Sequence, residues 1–322
     1  MRRWLAVLML MSSSHAAAAE PRKTDAEIVA GLGARLQALE ASGEFSGAVL
    51  LARADRVLFR QAYGLASRAT GARNTPATKF NLGSINKAFT RLAIEQLAAE
   101  GKLSLSDTLD AHVPEYPVEK GRRITLAQLL EHRGGTGDFF GPRYDAYDKT
   151  RLRTLRDWLP LFADAPLEFE PGARQRYSNA GYLLLGLVIE RVSGRSYEDY
   201  VRDRIFGPAG MKDTAAYPVD SPVADRARGY SREGAAWVEN ARHLPWRGTS
   251  AGGGYSTVDD LRRFADALRA GTLGGAKGGG LSLMGGAPGV NAALAMEGEY
   301  TLVVLANLDP PAARTVADEV SG

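Results

Sequence analysis

The stretch that organises the rest of the chain reads Phe80-Asn81-Leu82-Gly83-Ser84-Ile85-Asn86-Lys87-Ala88-Phe89-Thr90. A glycine bend precedes Ser84, and apolar residues with a period of 3.6 follow it. The buried stripe that they form comprises Ile85, Phe89, Leu92, Ala93 and Leu97, and Gly101 ends the helix. Ser84 is therefore predicted in the first turn of a buried helix.

A spacing of three residues places the side chains of Ser84 and Lys87 on one face of this helix. A neutral lysine amine in that position can take the proton of the serine hydroxyl, and the helix N-terminus favours negative charge that develops beside it. Because Lys87 lies beside the apolar stripe, burial is expected to lower its pKa. The same spacing also occurs on solvated helices, so the pattern needs partners elsewhere in the chain.

Composition limits the chemistry that is available to this chain. The chain has 322 residues, of which 45% are hydrophobic and 24% charged, as in an ordinary globular protein with a substantial core. Cysteine is absent, which excludes disulfides, thiol catalysis and thiolate metal sites. The four histidines are His15, His112, His132 and His243, so a histidine-based metal site is not predicted.

The N-terminus has the pattern of a secretory signal. Met1-Arg2-Arg3 is followed by an apolar run over residues 4–11 and by small residues up to Ala19. We therefore predict a signal peptide at residues 1–19 and a periplasmic or secreted protein. Eight apolar residues are too few to span a bilayer as a helix. Removal of Arg2 and Arg3 lowers the formal charge from +3 to +1, which leaves no electrostatic case for nucleic-acid binding.

Strand patterns lie at both ends of the chain, and helical patterns lie between them. Ser46 to Tyr63 predicts two strands, and Thr301–Ala306 predicts the last clear one. The predicted helices are Thr24–Ala41, a short one capped by Thr125 and Gln128, Ala180–Val192, Tyr197–Ile205 capped by Ser196, one from a Ser256 cap to Leu268 before Gly271, and a short one from Ala312. This order indicates an α+β protein with one antiparallel sheet built from the two ends and an inserted helical lobe.

A second polar cluster, Tyr177-Ser178-Asn179, lies directly before a strongly apolar helix. A tyrosine near a lysine can have its phenolate stabilised by the cation and can exchange a proton with a serine. Asn179 could hold a substrate amide or fix the position of Lys87. An aromatic plug followed by an asparagine N-cap is the structural alternative for these three residues.

With these residues in place, the chain resembles the serine beta-lactamase and penicillin-binding-protein superfamily, in its class C beta-lactamase-like and esterase-like branch. The Ser-x-x-Lys helix, the Tyr177-Ser178-Asn179 cluster and the glycine-rich segment Gly285–Asn291 occur in the order of that family, over roughly residues 40–310. The segments 129–138 and 252–261 also resemble it. The resemblance implies a beta-lactamase/transpeptidase-like fold in one domain, residues 20–322. Its α/β lobe would comprise about 24–83 and 250–322, its helical lobe about 84–249, and the active site would lie between them.

The resemblance also implies acyl transfer through a serine ester. Ser84 would attack a carbonyl, Lys87 and Tyr177 would handle its proton, and Asn179 would help to orient the acyl group. Gly285 and Gly286 would form the facing wall, with the oxyanion on the backbone amides of Ser84 and Gly286. The expected function is that of a periplasmic serine hydrolase that acts on an ester, amide or beta-lactam without a cofactor.

Two departures from the family pattern leave other functions open. Alignment of Gly285 and Gly286 puts Leu283 where relatives carry a lysine or histidine, and the short segment Gly271–Ser282 leaves open the loss of a strand. Lys277 is a weaker candidate for the displaced cation. A catalytically weakened or inactive binding protein is therefore one alternative. A D-alanyl-D-alanine carboxypeptidase ranks below an esterase, because Leu283 cannot hold a substrate carboxylate.

Other motifs are not assigned to the reaction. Gly248-Thr249-Ser250-Ala251-Gly252 matches the G-x-S-x-G pattern, but an α/β-hydrolase needs a histidine after the serine, and none follows His243. His132 is interpreted as a structural histidine, and Asp138 receives no role. The partners expected are a small-molecule or peptide substrate, without nucleic acid or a membrane span, and the oligomeric state stays open.

Overall fold

The protein is described by a computed structural model that covers residues 23–274 and 280–321. Within these residues the α-helices are α1 Asp25–Ser42, α2 Asn86–Ala99, α3 Val118–Gly121, α4 Leu126–Leu130, α5 Pro142–Ala146, α6 Asn179–Ser193, α7 Tyr197–Val201, α8 Gly207–Ala209, α9 Val258–Ala270 and α10 Ala312–Ser321. The strands are β1 Gly47–Arg53, β2 Arg56–Tyr63, β3 Leu65–Ser67, β4 Ala72–Arg73, β5 Phe80–Asn81, β6 Tyr230–Glu233, β7 Ala236–Glu239, β8 Tyr255–Ser256, β9 Gly280–Ala287, β10 Val290–Glu297 and β11 Tyr300–Ala306. The signal-like residues 1–19 and Lys277 lie outside the described residues.

The main sheet joins the two ends of the chain, as the sequence predicted. In the described part of the chain it has five antiparallel strands in the order β2-β1-β11-β10-β9. Gly47 in β1 pairs with Ala306 in β11, so the first strand lies against the last. β9 forms an outer edge of this sheet. The protein is of the predicted α+β class, with helices on both sides of an antiparallel sheet.

Alternating side chains of the central strands bury both faces of the sheet, because successive residues of a strand point to opposite sides. Val49 and Leu51 of β1 pack with α1 and α10 on one face. Ala48 and Leu50 pack on the other face with the larger core, which includes residues of α2, α6 and α9. The sheet is thus covered on both sides, and the nucleophile helix α2 belongs to the larger core.

Most helix boundaries follow the predicted residues. The predicted capping box of Thr125 is present, Thr24 at the start of the first predicted helix also forms one, and Gly194 and Gly271 end their helices in the left-handed conformation. The predicted cap of α9 is wrong by one residue, since Thr257 accepts the N–H of Asp260. Ser256 lies in β8 instead, and its hydroxyl oxygen is 2.7 Å from that of Thr214. The helix predicted to end at Ile205 becomes a π-helical turn, Arg202–Phe206, after α7.

The hairpin of β9 and β10 was not predicted as strands. It follows α9 after only a short connection, and it supplies two of the five strands of the sheet. The short segment after Gly271 therefore does not remove this hairpin from the fold. Across residues 23–274 and 280–321, none of the helices is both long and apolar enough to cross a membrane. The boundaries of the two lobes stay a prediction.

Candidate active site

Ser84 lies in a single 3-10 turn, Gly83–Ile85, between β5 and α2. β5 pairs with β8, and the pairing continues past both strands because Leu82 donates to the carbonyl of Gly254 and Gly253 donates to that of Gly83. Gly83 has a φ of 50°, a left-handed conformation that glycine adopts without steric cost. These backbone contacts fix the position of Ser84.

The amine of Lys87 is buried beside Ser84 and has three oxygen atoms around it. Lys87 is 7% exposed. Its Nζ lies 3.3 Å from Ser84 Oγ, 2.7 Å from Asn179 Oδ1 and 2.5 Å from the carbonyl oxygen of Ala251. Burial lowers the pKa of Lys87 from 10.5 to about 7, against an opposing effect of the Asp138 carboxylate. An appreciable fraction of this amine is therefore neutral at neutral pH.

Tyr177 faces the same hydroxyl from the other side. The oxygen atoms of Tyr177 and Ser84 are 2.5 Å apart, and Lys87 Nζ lies 4.7 Å from the centre of the Tyr177 ring. Burial raises the pKa of the Tyr177 phenol, which the hydrogen bond to Ser84 only partly offsets. The structure thus favours a neutral phenol at this position, in place of the lysine-stabilised phenolate considered from the sequence.

His132 and Ser178 hold the tyrosine in place. The backbone N–H of Ser178 donates to His132 Nδ1, and the His132 ring packs between Tyr177 and Tyr182 at centroid distances of 4.7 and 4.9 Å. Ser178 is the N-cap of α6, since its hydroxyl accepts the N–H of Gly181. The N-cap of α6 is therefore Ser178 rather than Asn179. His132 has a structural role, as the sequence indicated.

We expect His132 to make the protein less stable as the pH falls from about 6.5 to about 4. Burial, with the charges of Lys87 and Arg91, lowers the pKa of His132 to about 4, below its usual 6.5. In that window the unfolded chain binds a proton that the folded protein does not, so the free energy of unfolding decreases with falling pH. The slope stays below one proton, about 1.4 kcal/mol per pH unit, because a single imidazole binds at most one proton.

Chemical denaturation at pH 7, 5.5 and 4.5 measures this effect. The matched variant is His132→Asn, because asparagine tolerates the left-handed backbone of residue 132, whose φ is 59°. The stability difference between wild type and this variant should shrink as the pH falls. A difference that stays constant over the three pH values would contradict the assignment of a neutral, buried imidazole.

Two contacts of the site were missed by the sequence analysis. Asp138 Oδ2 accepts a hydrogen bond of 2.8 Å from Asn179 Nδ2, so this carboxylate is linked to Lys87 through the amide. The carbonyl of Ala251, inside the rejected G-x-S-x-G match, accepts from Lys87. A backbone carbonyl has no side-chain signature in a sequence. Asp138 could have been noticed in the sequence only because it lies in the segment 129–138, which resembles the family.

The wall opposite Ser84 is formed by β9, as the predicted roles of Gly285 and Gly286 require. A Cβ built on Gly285 would lie 2.0 Å from the carbonyl oxygen of Leu82 and 3.1 Å from the nitrogen of Ser84. Only glycine therefore permits this approach of β9. A Cβ built on Gly83 would likewise lie 2.9 Å from the nitrogen of Gly286. The amide of Gly286 thus lies beside the turn that carries the nucleophile.

The direction of the Gly286 N–H follows from the hairpin. Ala287 pairs with Val290 across a two-residue turn, and Gly286 pairs with Asn291. In such a hairpin the closing pair exchanges hydrogen bonds and the next pair does not. We therefore expect the N–H of Gly286 to point away from β10, toward the free edge of the sheet and Ser84. The N–H of Ser84, in the first turn of its helix, has no partner within that turn.

Leu283 occupies the position that the family pattern gives to a cation. It lies two residues before Gly285 on the same face of β9, and it packs partly against the larger core. This end of the wall is therefore apolar. The departure seen in the sequence is thus present in the structure.

Comparison with known proteins agrees with this arrangement. The family model described as Beta-lactamase matches residues 32–293. Penicillin-binding protein 4* of Bacillus subtilis (strain 168) is 33% identical over 176 residues, which are 54% of this chain and 38% of that protein. The chain spans between 38 and 56% of the length of the first curated relatives that it matches.

Solved structures share the fold over most of the chain. A penicillin-binding protein from Bacillus halodurans is 30% identical with a TM-score of 0.81, and the match covers 89% of this chain and 98% of that one. A D-amino acid amidase from Ochrobactrum anthropi SV3 has a TM-score of 0.78 and 21% identity, covering 92% and 98% of the two chains, which supports the fold alone. The family model covers well over half of the chain, so the protein belongs to the beta-lactamase family, within the serine beta-lactamase and penicillin-binding-protein superfamily.

Proposed function

We propose that this protein is a serine hydrolase that forms an acyl-enzyme on Ser84 and releases a carboxylic acid by hydrolysis. The observation that carries the proposal is the buried amine of Lys87, whose pKa is lowered to about 7 and whose nitrogen lies 3.3 Å from Ser84 Oγ. A base with a pKa near the working pH combines a useful neutral fraction with proton affinity. The placement in the class C-like and esterase-like branch is part of this proposal.

The hydrogen-bond partners of Lys87 direct its lone pair. A neutral amine has two N–H bonds, and the closest acceptors are Asn179 Oδ1 at 2.7 Å and the Ala251 carbonyl at 2.5 Å. When both N–H bonds point to these acceptors, the remaining tetrahedral direction holds the lone pair toward Ser84. Lys87 is then oriented to accept the hydroxyl proton as Ser84 Oγ attacks a carbonyl carbon.

Tyr177 completes the proton path. Its oxygen lies 2.5 Å from Ser84 Oγ, and when Lys87 accepts the serine proton the neutral phenol is the donor of this hydrogen bond. The proton taken by Lys87 passes to the leaving oxygen or nitrogen, directly or through the Tyr177 hydroxyl, as the bond to the acyl carbon breaks. In the second half of the reaction, water attacks the ester, its proton goes to Lys87, and Ser84 regains its hydroxyl proton.

Two backbone N–H groups are placed to bind the oxyanion of the tetrahedral intermediate. The backbone N–H groups of Ser84 and Gly286 converge from the 3-10 turn and from the edge of β9. Two such donors, fixed by rigid backbone, stabilise a tetrahedral oxyanion without reorganisation. The glycine at position 285 is what lets β9 come close enough to supply the second donor.

The substrate that fits this wall best carries no carboxylate near the reacting bond. Leu283 offers an apolar surface where a cation would bind an anionic group, and the Asp138 carboxylate adds negative charge on the side of Asn179. An ester or amide of a neutral acid is therefore favoured over a terminal D-alanyl peptide. A beta-lactam, whose carboxylate would meet the same wall, ranks between them. Export to the periplasm through residues 1–19 is part of the proposal.

The second candidate function is that of a binding protein with weak or no turnover. The observation that favours it is again Leu283, because a cation at that position would favour the neutral amine of Lys87 and the ionised form of Tyr177, and Leu283 does neither. In this alternative the cleft retains a ligand and releases it unchanged.

Turnover of a matched pair of nitrophenyl esters tests the proposal. We expect hydrolysis of nitrophenyl butyrate, and kcat/KM at least about tenfold lower for the mono-nitrophenyl ester of succinate, whose extra carboxylate meets Leu283 and Asp138. Leu283→Lys should reduce the difference in kcat/KM between the two esters. Absence of turnover, together with no mass increase after treatment with a fluorophosphonate, would support the binding protein instead.

A further inference from the structure

Asp138 makes two contacts through its two carboxylate oxygens. Oδ2 accepts from the side-chain amide of Asn179 at 2.8 Å. Oδ1 accepts from the backbone N–H of Phe140 at 3.1 Å. An ionised carboxylate can only accept hydrogen bonds, so both groups that face it must present an N–H. The carboxylate is therefore held by its own loop while it meets the amide of Asn179.

The amide of Asn179 has a single orientation that satisfies both of its neighbours. Lys87 donates on one side, at 2.7 Å, and Asp138 accepts on the other. Rotation of the amide by 180° would place the NH₂ group against the amine and the oxygen atom against the carboxylate. Both pairs would then be mismatched, which costs about 1–3 kcal/mol for each unsatisfied group.

We propose that Asp138 is a positioning residue, which fixes the amide of Asn179 with Oδ1 toward Lys87 and thereby holds the lone pair of Lys87 on Ser84. Asp138 does not touch the reacting atoms, and it acts through Asn179. The effect on turnover rests on the proposed function, whereas the effect on the titration of Lys87 does not depend on turnover.

The charges around Lys87 support this assignment. The Asp138 carboxylate raises the pKa of Lys87 against the lowering effect of burial. Among residues 23–274 and 280–321, the other titratable groups near the amine are the rings of Tyr177 and Tyr182, at 4.7 and 5.6 Å, and His132, whose pKa is lowered in part by Lys87. The two phenols are neutral at working pH because burial raises the pKa of each. Asp138 is thus the charge that keeps the amine from becoming too weak a base.

The first test is Asp138→Asn, with Asp145→Asn as the control. Asp145 is an exposed acid on the neighbouring helix α5, so its replacement makes the same charge change away from the amide. NMR of lysine labelled at the ε-carbon, with Lys87 assigned by its loss in Lys87→Met, gives the pKa directly. We expect a downward shift by roughly one unit in Asp138→Asn and no shift in the control.

Enzyme kinetics distinguish a positioning role of Asp138 from a role in folding alone. Asp138→Asn should lower kcat for nitrophenyl butyrate about tenfold or more with little change in KM, and the acidic limb of the pH–rate profile should move to lower pH. A loss of folded protein would lower the active fraction, counted by fluorophosphonate titration, without moving that limb.

The exchange Asp138→Asn/Asn179→Asp is the sharpest test. In this double variant the amide at position 138 donates to the new carboxylate and still accepts from Phe140, while the carboxylate accepts from Lys87. The hydrogen-bond chain is restored with the charge in contact with the amine. We expect the pKa of Lys87 to rise above its wild-type value and kcat to recover at high pH. An unchanged pKa in Asp138→Asn, or a double variant no better than the single one, would overturn the proposal. A wild type that does not hydrolyse esters would sink the proposed function while leaving the NMR result to decide on Asp138.

Discussion

Replacement of Ser84 by alanine should abolish both covalent labelling and ester turnover. We expect kcat to fall by on the order of 10⁴-fold or more, because Ser84 supplies the hydroxyl that lies 3.3 Å from the amine of Lys87 and beside the amides of β9. The fold should persist, since the 3-10 turn is fixed by backbone bonds from Leu82, Gly83 and their partners rather than by the hydroxyl. Intact-mass analysis after fluorophosphonate treatment, followed by peptide mapping, measures the label.

The matched control for this experiment is Ser250→Ala. Ser250 is the serine of the G-x-S-x-G match, and it is fully buried with a hydroxyl that has no hydrogen-bond partner among the described residues. Its replacement should leave labelling and kcat near the wild-type values. Labelling that survives in Ser84→Ala would contradict the assignment of Ser84 as the nucleophile. Labelling that is lost only in Ser250→Ala would identify Ser250 as the nucleophile instead.

Replacement of Lys87 by methionine should lower kcat by about 10²–10⁴-fold, the usual contribution of a general base. Methionine has a similar length and fits a buried position, so the variant should fold, although the Asn179 and Ala251 oxygens lose their donor at a cost of about 1–3 kcal/mol each. In the wild type, activity should rise with pH through about 7 as the amine loses its proton. That acidic limb should be absent from the variant.

Lys87→Arg provides the complementary control. A guanidinium keeps the positive charge but does not become neutral in this pH range, so it can stabilise charge without accepting a proton. We expect it to be as inactive as the methionine variant. Residual activity in Lys87→Arg that keeps a limb near pH 7 would show that another group is the base.

The local part of the site could be predicted because it depends on short-range geometry. The helical period places Ser84 and Lys87 on one face, and the structure brings the two side chains to 3.3 Å. The Tyr177-Ser178-Asn179 cluster was found through its position before an apolar helix. The sequence does not distinguish which polar residue of the cluster caps the helix, and in the structure Ser178 rather than Asn179 caps α6.

The parts that sequence reasoning missed are those set by long-range contacts. β10 reads Val-Asn-Ala-Ala-Leu-Ala-Met-Glu, and its alanines, leucine and methionine favour helix rather than strand by intrinsic propensity. Pairing on both sides, with β9 and β11, overrides that preference. The link from Asp138 to Asn179 joins residues 41 positions apart, and no local pattern announces it.

The pairing of Gly47 with Ala306 has a consequence for when the proposed active site is completed during folding. β10 and β9, which bring Gly286 close to Ser84, join the rest of the described sheet only through β11, and β11 lies far along the chain from its partner β1. Contacts this distant in sequence form late, because a long loop must close first. A chain in which β11 has not yet paired with β1 therefore holds Ser84 and Lys87 without the wall that would stabilise the proposed oxyanion. The proposed acyl-transfer chemistry is absent until β11 has paired.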